Sequence, residues 1–118
     1  MGCILLIDDD CQILTSLSQA LKHVGYEVEV ACDGDEGIEL IDSGYNCDLV
    51  ITDITMPRVN GNAVARHIRS SDRQDTPIVA ITGFGEDAIE RELFNTVLVK
   101  PFKLDVLFGT VRLLIEDR

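Results

Sequence analysis

The sequence predicts an α/β domain of five β-α units, a doubly wound parallel sheet with helices on both faces. Short apolar runs alternate with segments of helical period, which is the pattern of βαβ units. The apolar runs are strand-sized, and none approaches the roughly 20 residues of a membrane span. At 118 residues the chain reads as a single domain, 1–118, able to bury one core without disulfide or metal staples.

The elements follow in order. Cys3 to Ile7 reads as a buried central strand. Gln12 to Val24 places Ile13, Leu14, Leu17, Leu21 and Val24 at helical spacing, and Gly25 supplies the stop. Tyr26 to Ala31 alternates apolar residues with Glu27 and Glu29, as a half-exposed edge strand does. A short helix over Asp35 to Ser43 turns Ile38 and Ile41 inward, and a second buried strand over Asp48 to Thr52 ends at Asp53. A loop with Pro57 leads to a helix over Gly61 to Ser70 and a strand over Pro77 to Thr82. A short helix around Glu86 to Phe94, a strand over Thr96 to Val99 and an amphipathic helix over Leu104 to Glu116 complete the series.

Composition narrows the function. The hydrophobic share of 46% and charged share of 26% are those of a globular protein. A formal net charge of −11 opposes nucleic-acid binding, because a phosphate backbone would be repelled. No export signal or membrane segment is visible, so a cytoplasmic location is expected. Cys3, Cys11, Cys32 and Cys47 show no metal-type spacing and read as small, mostly buried thiols of a reducing compartment. His23 and His67 fall in helical segments, as surface or helix-end residues.

Ligands of parallel sheets collect beyond the carboxyl ends of the strands. Four of the five predicted strands end there in residues that carry chemistry: Asp8-Asp9-Asp10, Asp53, Thr82 and Lys100. Each has an ordinary reading by itself, and Asp10 fits well as a helix N-cap. Together they crowd three carboxylates and a lysine on one rim. A like-charge pair at ~4 Å costs about 4 kcal/mol at an effective dielectric near 20, a repulsion that a hard divalent cation relieves. Mg²⁺ suits a site of a few carboxylates, a carbonyl and retained waters. The cation, Lys100 and the Thr82 hydroxyl would also neutralise phosphoryl oxygens approaching Asp53, with Gly83 leaving the backbone open.

These residues make the chain similar to the response-regulator receiver family. The likeness runs through Ile4-Leu-Leu-Ile-Asp-Asp-Asp10, Leu49-Val-Ile-Thr-Asp-Ile-Thr-Met-Pro57 with Gly61, Ile78-Val-Ala-Ile-Thr-Gly83 and Val99-Lys-Pro-Phe102. The resemblance implies a flavodoxin-like (βα)5 fold with strand order 2-1-3-4-5. It implies that Asp53 accepts a phosphoryl group from a histidine kinase or histidine phosphotransfer protein. Asp9, Asp53 and the main-chain carbonyl of Thr55 would bind Mg²⁺ (or Mn²⁺), with Asp8 assisting through water. Lys100 would contact the phosphoryl group beside a cis peptide before Pro101, and Thr82 would be the switch hydroxyl. Such a domain promotes its own phosphoryl transfer and hydrolysis but is not an enzyme in the turnover sense.

Two features depart from the family. Val97 stands where an aromatic residue usually does, three positions before the lysine. Thr82 and Lys100 are 100 − 82 = 18 positions apart, about one helical turn (~4 residues) less than the family pattern, so the fourth helix is expected to be short or irregular. The usual threonine–aromatic relay therefore cannot operate as written. Thr55 and Phe84, each two positions past a site residue, resemble family positions that tune dephosphorylation, and Phe84 is expected to shield the phosphoryl group.

Two rival readings compete with this one. The Asp-x-Asp of the first strand end also occurs in Mg²⁺-dependent aspartyl phosphatases of the haloacid-dehalogenase type, but Cys11-Gln12 replaces the Thr segment those enzymes carry. A degenerate receiver acting only as an interaction module conflicts with the intact Asp9, Asp53, Thr82 and Lys100. The sequence displays no output domain, so the expectation is either a stand-alone receiver, signalling through protein contacts or passing phosphate onward, or a receiver cut from a longer protein.

Overall fold

The structure, a computed structural model, describes residues 2–83 and 89–116. Five parallel strands form one sheet: β1 (Cys3–Ile7), β2 (Glu27–Ala31), β3 (Leu49–Asp53), β4 (Ile78–Thr82) and β5 (Thr96–Val99). Their order is β2-β1-β3-β4-β5, as the resemblance implied. The alternation in β2 puts Glu27 and Glu29 towards solvent at the sheet edge, whereas every residue of β3 and β4 is buried.

Helices α1 (Cys11–His23), α2 (Gly34–Asp42), α3 (Gly61–Arg69) and α4 (Leu104–Glu116) cover the two faces. Successive strand residues point to opposite faces. Ile4 and Leu6 of β1 therefore join Leu14, Leu17 and Leu21 of α1 and Leu107 and Val111 of α4 in one core. Leu5 and Ile7 join Ile41 of α2 and Val64, Ala65 and Ile68 of α3 in the other. Each of the first three helices starts on an acidic or amide cap: Asp10 accepts from the Gln12 and Ile13 N–H groups, Asp33 from Glu36 and Asn60 from Ala63. Gly25, at φ 108, takes the left-handed turn that ends α1.

The expected short or irregular fourth helix is met, and one expectation, the burial of the cysteines, needs correction. The fourth connection shows only a three-residue 3-10 turn, Arg91–Leu93, within the described part of the predicted helix. Its residues 86–88, like Phe84, lie outside the described residues. The short spacing between β4 and β5 leaves little chain for a regular helix. The cysteines are not mostly buried: Cys47 is, Cys3 is half-buried, and Cys11 and Cys32 are exposed. The latter two sit where chain leaves the sheet, Cys11 opening α1 and Cys32 following β2, so neither faces a core.

His23 ends α1 in solvent, and the Nε2 of half-exposed His67 lies 2.7 Å from Asp42 Oδ1. No helix among the described residues is long and apolar enough to cross a membrane.

Candidate functional site

The carboxyl ends of β1, β3, β4 and β5 converge as the strand order requires. Asp8, Asp53 and Thr82 are buried there, and Asp9 is exposed at the rim. One carboxylate oxygen from each of Asp8, Asp9 and Asp53 lies within 4.8 Å of the others, a donor set suited to a hard cation. Lys100 Nζ stands 3.6 Å from Asp53 Oδ1 and 3.9 Å from Asp8 Oδ2. The four residues singled out by spacing thus meet in space, with Asp9 completing the acidic set.

Local backbone chemistry holds them. The Asp10 N–H donates to Asp8 Oδ1 (2.9 Å), while the Asp10 side chain caps α1. The Lys100 N–H donates to the Thr82 carbonyl (2.8 Å), which brings the lysine alongside β4. The peptide between Lys100 and Pro101 is cis, as the resemblance implied. The Thr82 hydroxyl donates to the Gly83 carbonyl (3.3 Å). Thr55 is exposed, two residues past Asp53 in the loop leading to α3.

That loop is fastened at both sides. A Cβ on Gly61 would stand 2.4 Å from the Asp53 carbonyl oxygen, so only glycine lets α3 start so close to the end of β3. The Gly61 N–H also donates to the Ile54 carbonyl (2.9 Å). Arg58, in the left-handed region at φ 64, pairs with Asp33 (3.1 Å) and Asp35 (3.0 Å) at the start of α2.

Two carboxylates beside one lysine give an unbalanced buried charge. Burial and the neighbouring Asp8 push the Asp53 carboxyl up to about 6, against the opposing pull of Lys100 and the Ile54 N–H. Burial likewise raises Asp8, opposed by the Asp10 N–H and Lys100. A divalent cation would relieve both.

A model of the response regulator receiver domain matches residues 4–112. The chain belongs to that family. Among relatives of this receiver, the response regulator MprA of Mycolicibacterium vanbaalenii is 36% identical over 119 residues, covering 96% of this chain and 50% of that protein. The chain thus spans about half the length of the curated relatives it matches. The receiver is also similar to the response regulator TrrA of Thermotoga maritima, solved in complex with Mg²⁺-BeF (TM-score 0.87, 34% identity, 97% of this chain and 99% of that one). A receiver domain protein of Clostridium thermocellum superposes with TM-score 0.90 at 30% identity, over 99% of this chain and 96% of that one. The acidic run at the end of β1 is accordingly that of a two-component receiver.

The receiver's β4–β5 connection is tied to α3 by residues that the sequence reading passed over. Asn62 Oδ1 accepts the Glu90 N–H (3.0 Å), Arg66 pairs with Glu90, and Arg69 Nε donates to the Leu93 carbonyl (3.1 Å). Positions 62, 66 and 69 share one helix face, the only sequence signal for the group. Val97 is half-buried in β5 beside Ala80 of β4.

Proposed function

We propose that this receiver accepts a phosphoryl group on Asp53 from the phosphohistidine of a histidine kinase or phosphotransfer protein, in a Mg²⁺-dependent reaction (Mn²⁺ serving equally). The observation that carries the reading is the buried Asp53 carboxylate with Lys100 Nζ at 3.6 Å and the oxygens of Asp8 and Asp9 close by. Asp9, Asp53 and the Thr55 carbonyl would hold the cation directly, with Asp8 acting through water. A bound Mg²⁺ supplies positive charge that offsets the carboxylates and the incoming phosphoryl oxygens. The solved Mg²⁺-BeF complex of the Thermotoga relative supports magnesium binding and aspartyl phosphorylation in a receiver of this kind.

The remaining work falls to the chain itself. An Asp53 carboxylate oxygen attacks phosphorus, the new O–P bond forms as the P–N bond breaks, and the imidazole nitrogen keeps the electron pair. Lys100 offers its ammonium to one phosphoryl oxygen, and the Thr82 hydroxyl turns from the Gly83 carbonyl to another. Burial keeps Asp53 poorly solvated, which favours attack once the carboxylate is ionised. Readout would bypass the threonine–aromatic relay, since Val97 has no aromatic ring to move, and run through protein contacts of the altered β4–β5 region.

Incubation with acetyl phosphate and Mg²⁺ followed by intact mass spectrometry tests the reading. One phosphoryl adduct is expected on the native chain, and none on Asp53→Asn or when EDTA replaces Mg²⁺. An adduct of equal yield on Asp53→Asn would overturn it.

A further inference from the structure

Cys11 and Cys32 come from different β-α units and meet at the strand-end rim. β1 and β2 pair through Ile7 and Ala31, and the Asp8 N–H donates to the Ala31 carbonyl (3.2 Å), so the two chains leave the sheet side by side. The Asp10 cap fixes Cys11 as the first residue of α1. Glu36 accepts the Cys32 N–H (2.7 Å) while Asp33 accepts the Glu36 N–H (2.8 Å), a reciprocal arrangement that fixes Cys32 just before α2. Both residues are exposed, and Cys11 is a near neighbour of Cys32 at this rim. Neither packs in a core, and neither belongs to the phosphoryl site.

We propose that Cys11 and Cys32 are an oxidisable pair that closes to an intramolecular disulfide when the protein meets a peroxide. One thiol, as thiolate, attacks a peroxide oxygen; the O–O bond breaks, water leaves and a sulfenic acid remains. The second thiolate attacks that sulfur, the S–O bond breaks and a second water leaves. Two thiols and one hydrogen peroxide thus give one disulfide and two waters. The sulfurs must close to about 2.05 Å, a movement that falls on two loops exposed to solvent. Partial desolvation, Glu36 and the adjacent Cys11 raise the Cys32 thiol above its ordinary range, so the reaction is slow and needs peroxide in excess. In a reducing compartment such a bond is transient and reversible. It would tie the loop bearing Asp9 to the loop bearing Asp33, and its formation does not depend on phosphoryl chemistry.

The full chain is treated with hydrogen peroxide in EDTA, alkylated, and measured by intact mass and by fragmentation of a non-reducing digest. The expected product is a monomer lighter by two hydrogens before alkylation, bridged from Cys11 to Cys32, with two thiols still alkylated. Dithiothreitol restores all four thiols, and Cys11→Ser and Cys32→Ser each abolish the bridge while keeping the native circular dichroism spectrum. Four free thiols after peroxide, over-oxidation without a bridge, a bridge only between copies, or a bridge through Cys3 or Cys47 would each overturn the proposal.

Discussion

Replacing Asp53 with asparagine is predicted to stabilise the cation-free protein at neutral pH and to change little at pH 4. Asp53 is 7% exposed, and burial with the Asp8 charge lifts its carboxyl from 3.8 to about 6. At about 1.36 kcal/mol per pH unit, that displacement corresponds to ~3 kcal/mol. Below pH 4 the group is protonated in both folded and unfolded chains. Between about 4 and 6 the folded state holds a proton that the unfolded state has released, so stability falls as pH rises. Above about 6 the full cost of the buried charge is present. The asparagine variant avoids that cost, and Lys100 keeps Asp8 at 3.9 Å, so no lone charge is left behind. Urea unfolding in EDTA, followed by circular dichroism because the chain lacks tryptophan, checks this at pH 7.5 and pH 4. The midpoint should rise by about 1.5 M at pH 7.5 for a typical slope near 2 kcal/mol/M, with no comparable rise at pH 4. Equal midpoints at pH 7.5, or an equal gain at both pH values, would refute the electrostatic reasoning.

Other outcomes follow from the same geometry. Mg²⁺ at about 100 times its dissociation constant should stabilise the native chain by ~2.7 kcal/mol and Asp53→Asn by clearly less, measurable as a thermal shift. Lys100→Met removes a cation 3.6 Å from Asp53, worth between about 1 and 5 kcal/mol across the plausible dielectric range. The carboxyl titration of Asp53, followed by NMR, should then move to higher pH, and acetyl phosphate labelling should slow at least tenfold. Gly61→Ala should lose ~1–3 kcal/mol in urea unfolding, because its methyl meets the Asp53 carbonyl at 2.4 Å. Arg69→Met should lose ~2–3 kcal/mol by the same assay, since Arg69 donates to the carbonyls of Leu93, Gln74 and Thr76 and to Asn95 Oδ1.

The fold was legible because its signals are local. A continuous apolar run such as Cys3–Ile7 can only be a strand buried on both faces, and the structure begins and ends β1 at those residues. Caps were less legible. The reading that started α2 at Asp35 missed Asp33, whose side chain closes the first turn one residue before Gly34. At the site, Asp8, Asp53, Thr82 and Lys100 were visible because strand order gathers strand ends on one rim. Asn62, Arg66 and Arg69 were not, because they contact a connection whose course no periodicity encodes. Cysteine burial also escaped the sequence. Thiol spacing carries no information about which strand ends will lie side by side, and Cys11 and Cys32 become neighbours only once β1 and β2 pair.

The central claim is that Asp53 is the residue that carries the phosphoryl group. Borohydride reduction of the protein after acetyl phosphate and Mg²⁺ treatment tests it most directly, since an aspartyl phosphate is an acyl phosphate and is reduced to homoserine. Peptide sequencing by mass spectrometry should find homoserine at position 53. Homoserine at another acidic position, or a stable adduct that borohydride leaves unreduced, would contradict the account.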